Sequence, residues 1–225
     1  MSKAVYLFVA SFLFVGAMTK TSDQVVPFLQ PIVEKIENKT ETPVLLPTYW
    51  SDLSKTKNPF PSVRYKTSKN GYELYFFQMN KAYKPNDIHL EFTPFENEMG
   101  TLYSNKKPFY SIAKPYHYVA SKKIADIPVW YDRHTHKDFY SKHGKWTFLV
   151  HGSKKVNNEC LKEMKELDWL QDKDIRKAKM YVTQHAHRTE VNIIWQNKDN
   201  IVYDFTYHGG IKESLKVMNS MAYIQ

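Results

Sequence analysis

Hydrophobic positions along this chain switch between a helical and a strand period. Val25, Val26, Leu29, Ile32, Val33 and Ile36 recur at helical spacing behind Ser22 or Asp23, predicting a capped helix over residues 22–38. Pro31 lies inside that pattern and should kink or restart it. Short runs rich in Tyr, Phe and Val then predict strands at residues 63–66, 72–78, 88–92, 101–104 and 117–121. Asn70-Gly71 between the first two is a hairpin signal, so this stretch is expected to form an antiparallel meander. A second set of strands is expected at 128–131, 138–141 and 145–151, the last two joined across His143-Gly144. Helical spacing returns at Leu161, Met164, Leu167 and Leu170, with Asn157 or Asn158 as the expected cap. Three more strands are predicted at 180–184, 191–196 and 201–207. A closing helix from Ile211 places Leu215, Met218 and Ala222 on one face. The pattern predicts an α+β fold, an antiparallel β-meander sheet or sheets with two or three helices packed on one face.

Two pieces of the tail are alike. Glu159-Cys160-Leu161-Lys162-Glu163-Met164 and Glu213-Ser214-Leu215-Lys216-Val217-Met218 match at four of six positions, and each follows an aromatic strand ending in His-Gly. Two explanations stand side by side: strand-to-helix junctions favour Gly and amphipathic helices resemble one another, or a strand–strand–helix unit was duplicated. Duplication would divide the chain into units 42–125 and 126–225.

The first seventeen residues change the picture, because they have the form of an export signal. Lys3 gives a positive start, Ala4 to Val15 are apolar, and Val15-Gly16-Ala17 is a small-residue cleavage pattern. A signal peptide over 1–17 and a single exported domain over 18–225 are therefore expected. The run is shorter than the roughly 20 apolar residues of a membrane span, and an uncleaved anchor is the alternative. The formal net charge of +9 falls by one if Lys3 leaves with the signal, and such a charge favours anionic surroundings. For an exported protein those are a cell-wall polymer or a membrane surface rather than nucleic acid. Another exported protein is the remaining partner class. Cys160 is the sole cysteine, which excludes an intramolecular disulfide and fits a bacterial exported protein. A 42% hydrophobic and 15% aromatic composition is ample for a core without one.

Pro43-Val44-Leu45-Leu46-Pro47, then Asn70-Gly71-Tyr72 with its strand, then Gly144-Lys145-Trp146-Thr147-Phe148 before a helix carry a resemblance. In that order they resemble uncharacterised exported domains of spore-forming Gram-positive bacteria. The resemblance implies an envelope or sporulation-linked role and brings no catalytic residues with it.

Two chemical leads remain. His134-Thr135-His136 and His185-Ala186-His187 are His-x-His pairs, and on a strand alternate residues share a face, so each pair could give two imidazoles to a zinc ion. Asp132, Asp138, Glu190 or the other pair could complete such a site. The competing explanation is a polar loop and a strand end. No HExxH, CxxC, Gly-x-Ser-x-Gly, phosphate-binding or dinucleotide-binding motif is present, and Cys160 falls on a predicted packing face. The second lead is the interleaving of Tyr65, Tyr72 and Tyr75 with Arg64 and Lys66, since rings stack on sugars and cations pair with phosphate or carboxylate. Alternation along Tyr72-Glu73-Leu74-Tyr75 sends about half of these rings into a core. The expectation is an exported, non-catalytic envelope protein, without a cofactor, that binds an anionic wall polymer, a lipid or another exported protein. A metal-dependent hydrolase using the His pairs and an extracellular regulator of a membrane sensor are the alternatives.

Overall fold

A computed structural model describes residues 25–50, 59–86, 98–124, 127–135, 137–164, 174–186 and 188–224. The segment predicted as an export signal and the strand predicted at 88–92 lie outside these residues, as do Ser22, Asp23, Leu167, Leu170, His136 and His187.

The first helix is shorter and tighter than its hydrophobic spacing predicts. A 3-10 segment, Pro27–Ile32, runs into a short α-helix, α1 (Val33–Glu37), with Pro31 inside the former and no side-chain cap at its start. Proline cannot donate to the ladder, so the α-helix begins only beyond it. Leu29, Ile32, Val33 and Ile36 are nonetheless buried, as their spacing requires.

The strands are β1 (Leu45–Pro47), β2 (Phe60–Ser68), β3 (Gly71–Met79), β4 (Glu98–Asn105), β5 (Tyr118–Ile124), β6 (Ile127–Asp132), β7 (Asp138–His143) and β8 (Trp146–His151). After the helix α2 (Lys154–Met164) come β9 (Ile175–Gln184), β10 (Thr189–Asn197), β11 (Val202–Tyr207), the helix α3 (Ile211–Asn219) and β12 (Met221–Tyr223). Ten of them form one sheet in the order β2-β3-β4-β11-β10-β9-β8-β7-β6-β5, and β1 pairs with β12 in a separate ribbon. The fold is the α+β arrangement that the pattern predicts.

Every neighbour in the large sheet is antiparallel except β8 and β9, which run parallel. A parallel pair needs a crossover, and α2 supplies it between them. The second His-Gly junction has a different sequel, since α3 leads out of the large sheet to β12 beside β1. The β2–β4 meander is joined directly to the rest through β4 and β11, with Phe205 opposite Leu102.

Two local expectations are corrected. The β2–β3 hairpin turns on Lys69-Asn70, because Gly71 is already paired with Ser68 as the first residue of β3. A Cβ on Gly71 would lie 1.8 Å from the Ser104 carbonyl oxygen, so this glycine serves close strand approach rather than the turn itself. Helix α2 starts at Lys154, which puts Asn157 inside it, where its amide donates to the Lys137 carbonyl and ties the helix to the β6–β7 connection.

One face of the sheet carries the core. Alternate residues Val191, Ile193 and Trp195 of β10 stand opposite Tyr207, Phe205 and Tyr203 of β11, all buried, and α3 lays Ile211, Leu215 and Met218 into the same cluster. The intervening residues of each strand face away from it. Among the described residues no helix is long and apolar enough to cross a membrane.

Candidate functional site

The face of the large sheet opposite the core cluster carries a cleft of about 1220 Å³. Its floor is a single row of paired residues, one per strand, running from β2 to β9: Lys66, Glu73, Tyr103, Asp204, Ile194 and Lys179. The chain leaving β4 bends over this row and forms a wall with Lys106, Lys107, Phe109 and Tyr110. Asn105 starts the bend by accepting the Lys107 N–H on its side-chain oxygen at 2.8 Å. Lys179 holds the far end, its ammonium donating to the Tyr110 carbonyl at 2.9 Å and lying 5.4 Å from the Phe109 ring centre and 5.5 Å from that of Tyr181. Phe109 is half-buried by this contact, whereas Lys106, Lys107 and Tyr110 are exposed.

Two floor groups titrate abnormally. Burial raises the Asp204 carboxyl above the usual carboxylate range, against the opposing pull of the Asn192 hydrogen bond and the Lys179 charge. Burial likewise lowers Lys179, which the Asp204 charge partly offsets. Asn192 donates from its amide nitrogen to Asp204 Oδ1 at 2.6 Å and to Thr206 Oγ1 at 2.8 Å, so the carboxylate is fixed from the side. At the other end Glu73 accepts from the Tyr75 hydroxyl at 3.0 Å and lies 3.9 Å from the Lys66 ammonium, which also sits 5.7 Å from the Tyr75 ring centre. Tyr75 meets Tyr103 edge to face at 5.8 Å.

Strand alternation divides the five binding residues singled out in the sequence. Arg64, Lys66 and Tyr75 stand on the cleft side, with Arg64 paired to Tyr75 beside the floor row. Tyr65 packs against the core cluster. Tyr72 borders the cleft but its ring is buried, and its hydroxyl both accepts from the Leu45 N–H and donates to the Leu45 carbonyl, each at 2.9 Å. Tyr103, Lys179, Asn192 and Asp204 are the residues that sequence reasoning misses. The run Lys106-Lys107-Pro108-Phe109-Tyr110 was the available signal, a basic and aromatic segment directly after a strand.

The described residues of both His-x-His segments, His134-Thr135 and His185-Ala186, sit at one end of the sheet, since Asp138 pairs with His151 and His151 with Thr183. His134 is exposed in the β6–β7 turn, and its N–H donates to Asp132 Oδ1 at 2.7 Å. The Thr135 and His134 N–H groups hold the Asp132 carboxyl below its usual range, and His117 Nε2 lies 3.1 Å from its other oxygen. His185 is exposed in the β9–β10 turn, with Nε2 3.8 Å from Glu190 Oε2. The same oxygen lies 3.7 Å from Nδ1 of His208. Among the described residues no three His, Cys, Asp or Glu side chains are grouped to hold a metal ion. Cys160 is buried, and burial pushes its thiol far above the range of a reactive cysteine.

His208 gives this end of the sheet a pH dependence. Its Nδ1 is buried without a hydrogen-bond partner; burial and then Arg188 hold its pKa below 6.5, with Glu190 opposing. Below pH 6.5 the unfolded chain takes up a proton that folded His208 resists, so stability falls on acidification down to the lower folded pKa. His208→Gln should flatten this part of the curve when urea midpoints are compared between about pH 7 and 5; an unchanged slope would remove His208 as its source. Comparison with known proteins finds no matching family model, no matching curated protein and no matching solved structure.

Proposed function

We propose that this chain is an exported, non-catalytic bacterial envelope protein that binds an anionic polymer in the cleft on the sheet face opposite the core cluster. The observation that carries this reading is the lining, in which Lys66, Lys106, Lys107 and Lys179 outnumber Glu73 and Asp204 and alternate with Tyr103, Phe109 and Tyr110. Exposed cations beside rings suit a chain of sugars and anions, because rings cover apolar sugar faces while ammonium groups meet phosphate or carboxylate. The export-like residues 1–17 and the net charge of +9 support this reading, since an exported basic protein would meet such polymers.

Calorimetric titration with soluble poly(glycerol phosphate), against neutral dextran as control, tests the reading. Binding should weaken as salt rises, since exposed charges are screened within about 8 Å at physiological ionic strength. Lys106→Glu combined with Lys107→Glu should weaken it about tenfold or more, each reversal replacing an attraction at the rim by a repulsion. Absence of binding, or a variant that binds as well as the parent, would refute the cleft as the polymer site.

A further inference from the structure

The floor of this cleft carries a group that a simple anion site would not contain. Asp204 lies at the middle of the floor row, between Tyr103 and Ile194, where a carboxylate repels an incoming anion. The Lys179 charge acts on it without forming an ion pair, the ammonium itself donating to the Tyr110 carbonyl and lying near two ring faces. Among the described residues no Lys, Arg or His nitrogen comes within the 4.0 Å of an ion pair with it. Its Oδ1 accepts from Asn192, and its Oδ2 has no hydrogen-bond partner among the described residues.

Asn192 satisfies one oxygen of this half-buried carboxylate, and the other is open to the cleft with acceptor capacity to spare. The donor that this place admits is neutral and sits against apolar surface, for the Asp204 neighbours on the floor are the Tyr103 ring and the Ile194 side chain. A sugar ring meets both demands, with hydroxyl donors on its edge and C–H groups on its faces. Anion-seeking groups stand elsewhere, since Lys106 and Lys107 are exposed on the wall. We infer that the cleft recognises a glycosyl unit of the anionic polymer, Asp204 accepting sugar hydroxyls at the floor while Lys106 and Lys107 meet the flanking phosphate or carboxylate. The inference rests on the polymer-binding reading and adds the chemical class of the repeating unit.

The test compares two polyanions of matched charge, inorganic polyphosphate and a glycosylated poly(glycerol phosphate), on the parent protein and on Asp204→Asn. The parent should prefer the glycosylated chain by about tenfold, the scale of a charge-assisted hydrogen bond to a hydroxyl. Asp204→Asn should lose that preference while holding polyphosphate at least as tightly, because the repulsion at the floor is gone. Asn192→Ala, which keeps the carboxylate but frees it to swing, should lose part of the preference and controls for a fold defect in the first variant. Lowering the pH should erode the preference in the parent and leave Asp204→Asn unaffected. Equal affinity of the parent for both polyanions would overturn the glycosyl inference and leave polymer binding standing. Binding of neither would overturn both.

Discussion

Gly100→Ala is expected to destabilise the protein by about 3–5 kcal/mol, among the largest effects a single methyl group can have. Gly100 sits on β4 opposite Phe76 of β3 and Tyr207 of β11, at the joint that makes one sheet of the β2–β4 meander and the remaining strands. A Cβ there would stand 2.1 Å from the Thr206 carbonyl oxygen and 3.0 Å from its carbon, both backbone atoms that cannot swing aside. The added atom must push β4 and β11 apart and break ladder hydrogen bonds three register positions along the strand pair from the floor residues Tyr103 and Asp204. Gly144→Ala is the natural comparison. Nothing lies within 4 Å of its would-be Cβ, and its φ of +56° leaves only the left-handed backbone cost of about 1–2 kcal/mol. Urea unfolding of both variants separates the causes: a Gly100→Ala loss no larger than that of Gly144→Ala would mean that the strand joint has slack.

That joint also marks where sequence ceases to be informative. Period-two alternation in Tyr72-Glu73-Leu74-Tyr75 correctly divides the rings between two faces, and Tyr72 and Tyr75 are found on opposite sides of the sheet. Alternation says nothing about which strand lies beside which. Tyr103, Asp204, Ile194 and Lys179 meet only because β4 pairs with β11 and β9 runs parallel to β8, and no local signal encodes either neighbour. Five residues of the floor are polar or aromatic positions on otherwise ordinary strands, so their chemistry emerges from register alone. The His-x-His segments show the converse. Their spacing stood out in the sequence, yet the two residues described, His134 and His185, lie in exposed turns whose nearest acids are already shared with His117 and His208. Proline was legible as an interruption at Pro31, whereas the 3-10 geometry of Pro27–Ile32 around it, with Leu29 and Ile32 buried, was not.

Trp195→Ala should cost about 3–5 kcal/mol, and its effect should reach through the sheet to the cleft. Trp195 is 2% exposed and stacks on Tyr203 with ring centres 5.4 Å apart. Its other cross-strand neighbour is Ala178, too small to close the space that the indole would leave. Tyr203 is pinned in turn, donating its hydroxyl to the Pro43 carbonyl at 3.1 Å, so a loosened stack also loosens the segment leading into β1. On the opposite face the adjacent residues are Ile194 and Asp204, paired across the same two strands. The ring stack therefore fixes the spacing of two floor residues from below. Thermal and urea unfolding should show the stability loss with an unchanged urea slope, and polymer affinity measured well below the lowered Tm should fall as well. Trp195→Phe keeps a ring on Tyr203 and should recover most of both. Under the proposed polymer-binding reading, a Trp195→Ala protein that binds poly(glycerol phosphate) as tightly as the parent would show that the cleft is set by its own surface contacts, chiefly Lys179 beneath Phe109 and Tyr110, rather than by the core on which it rests.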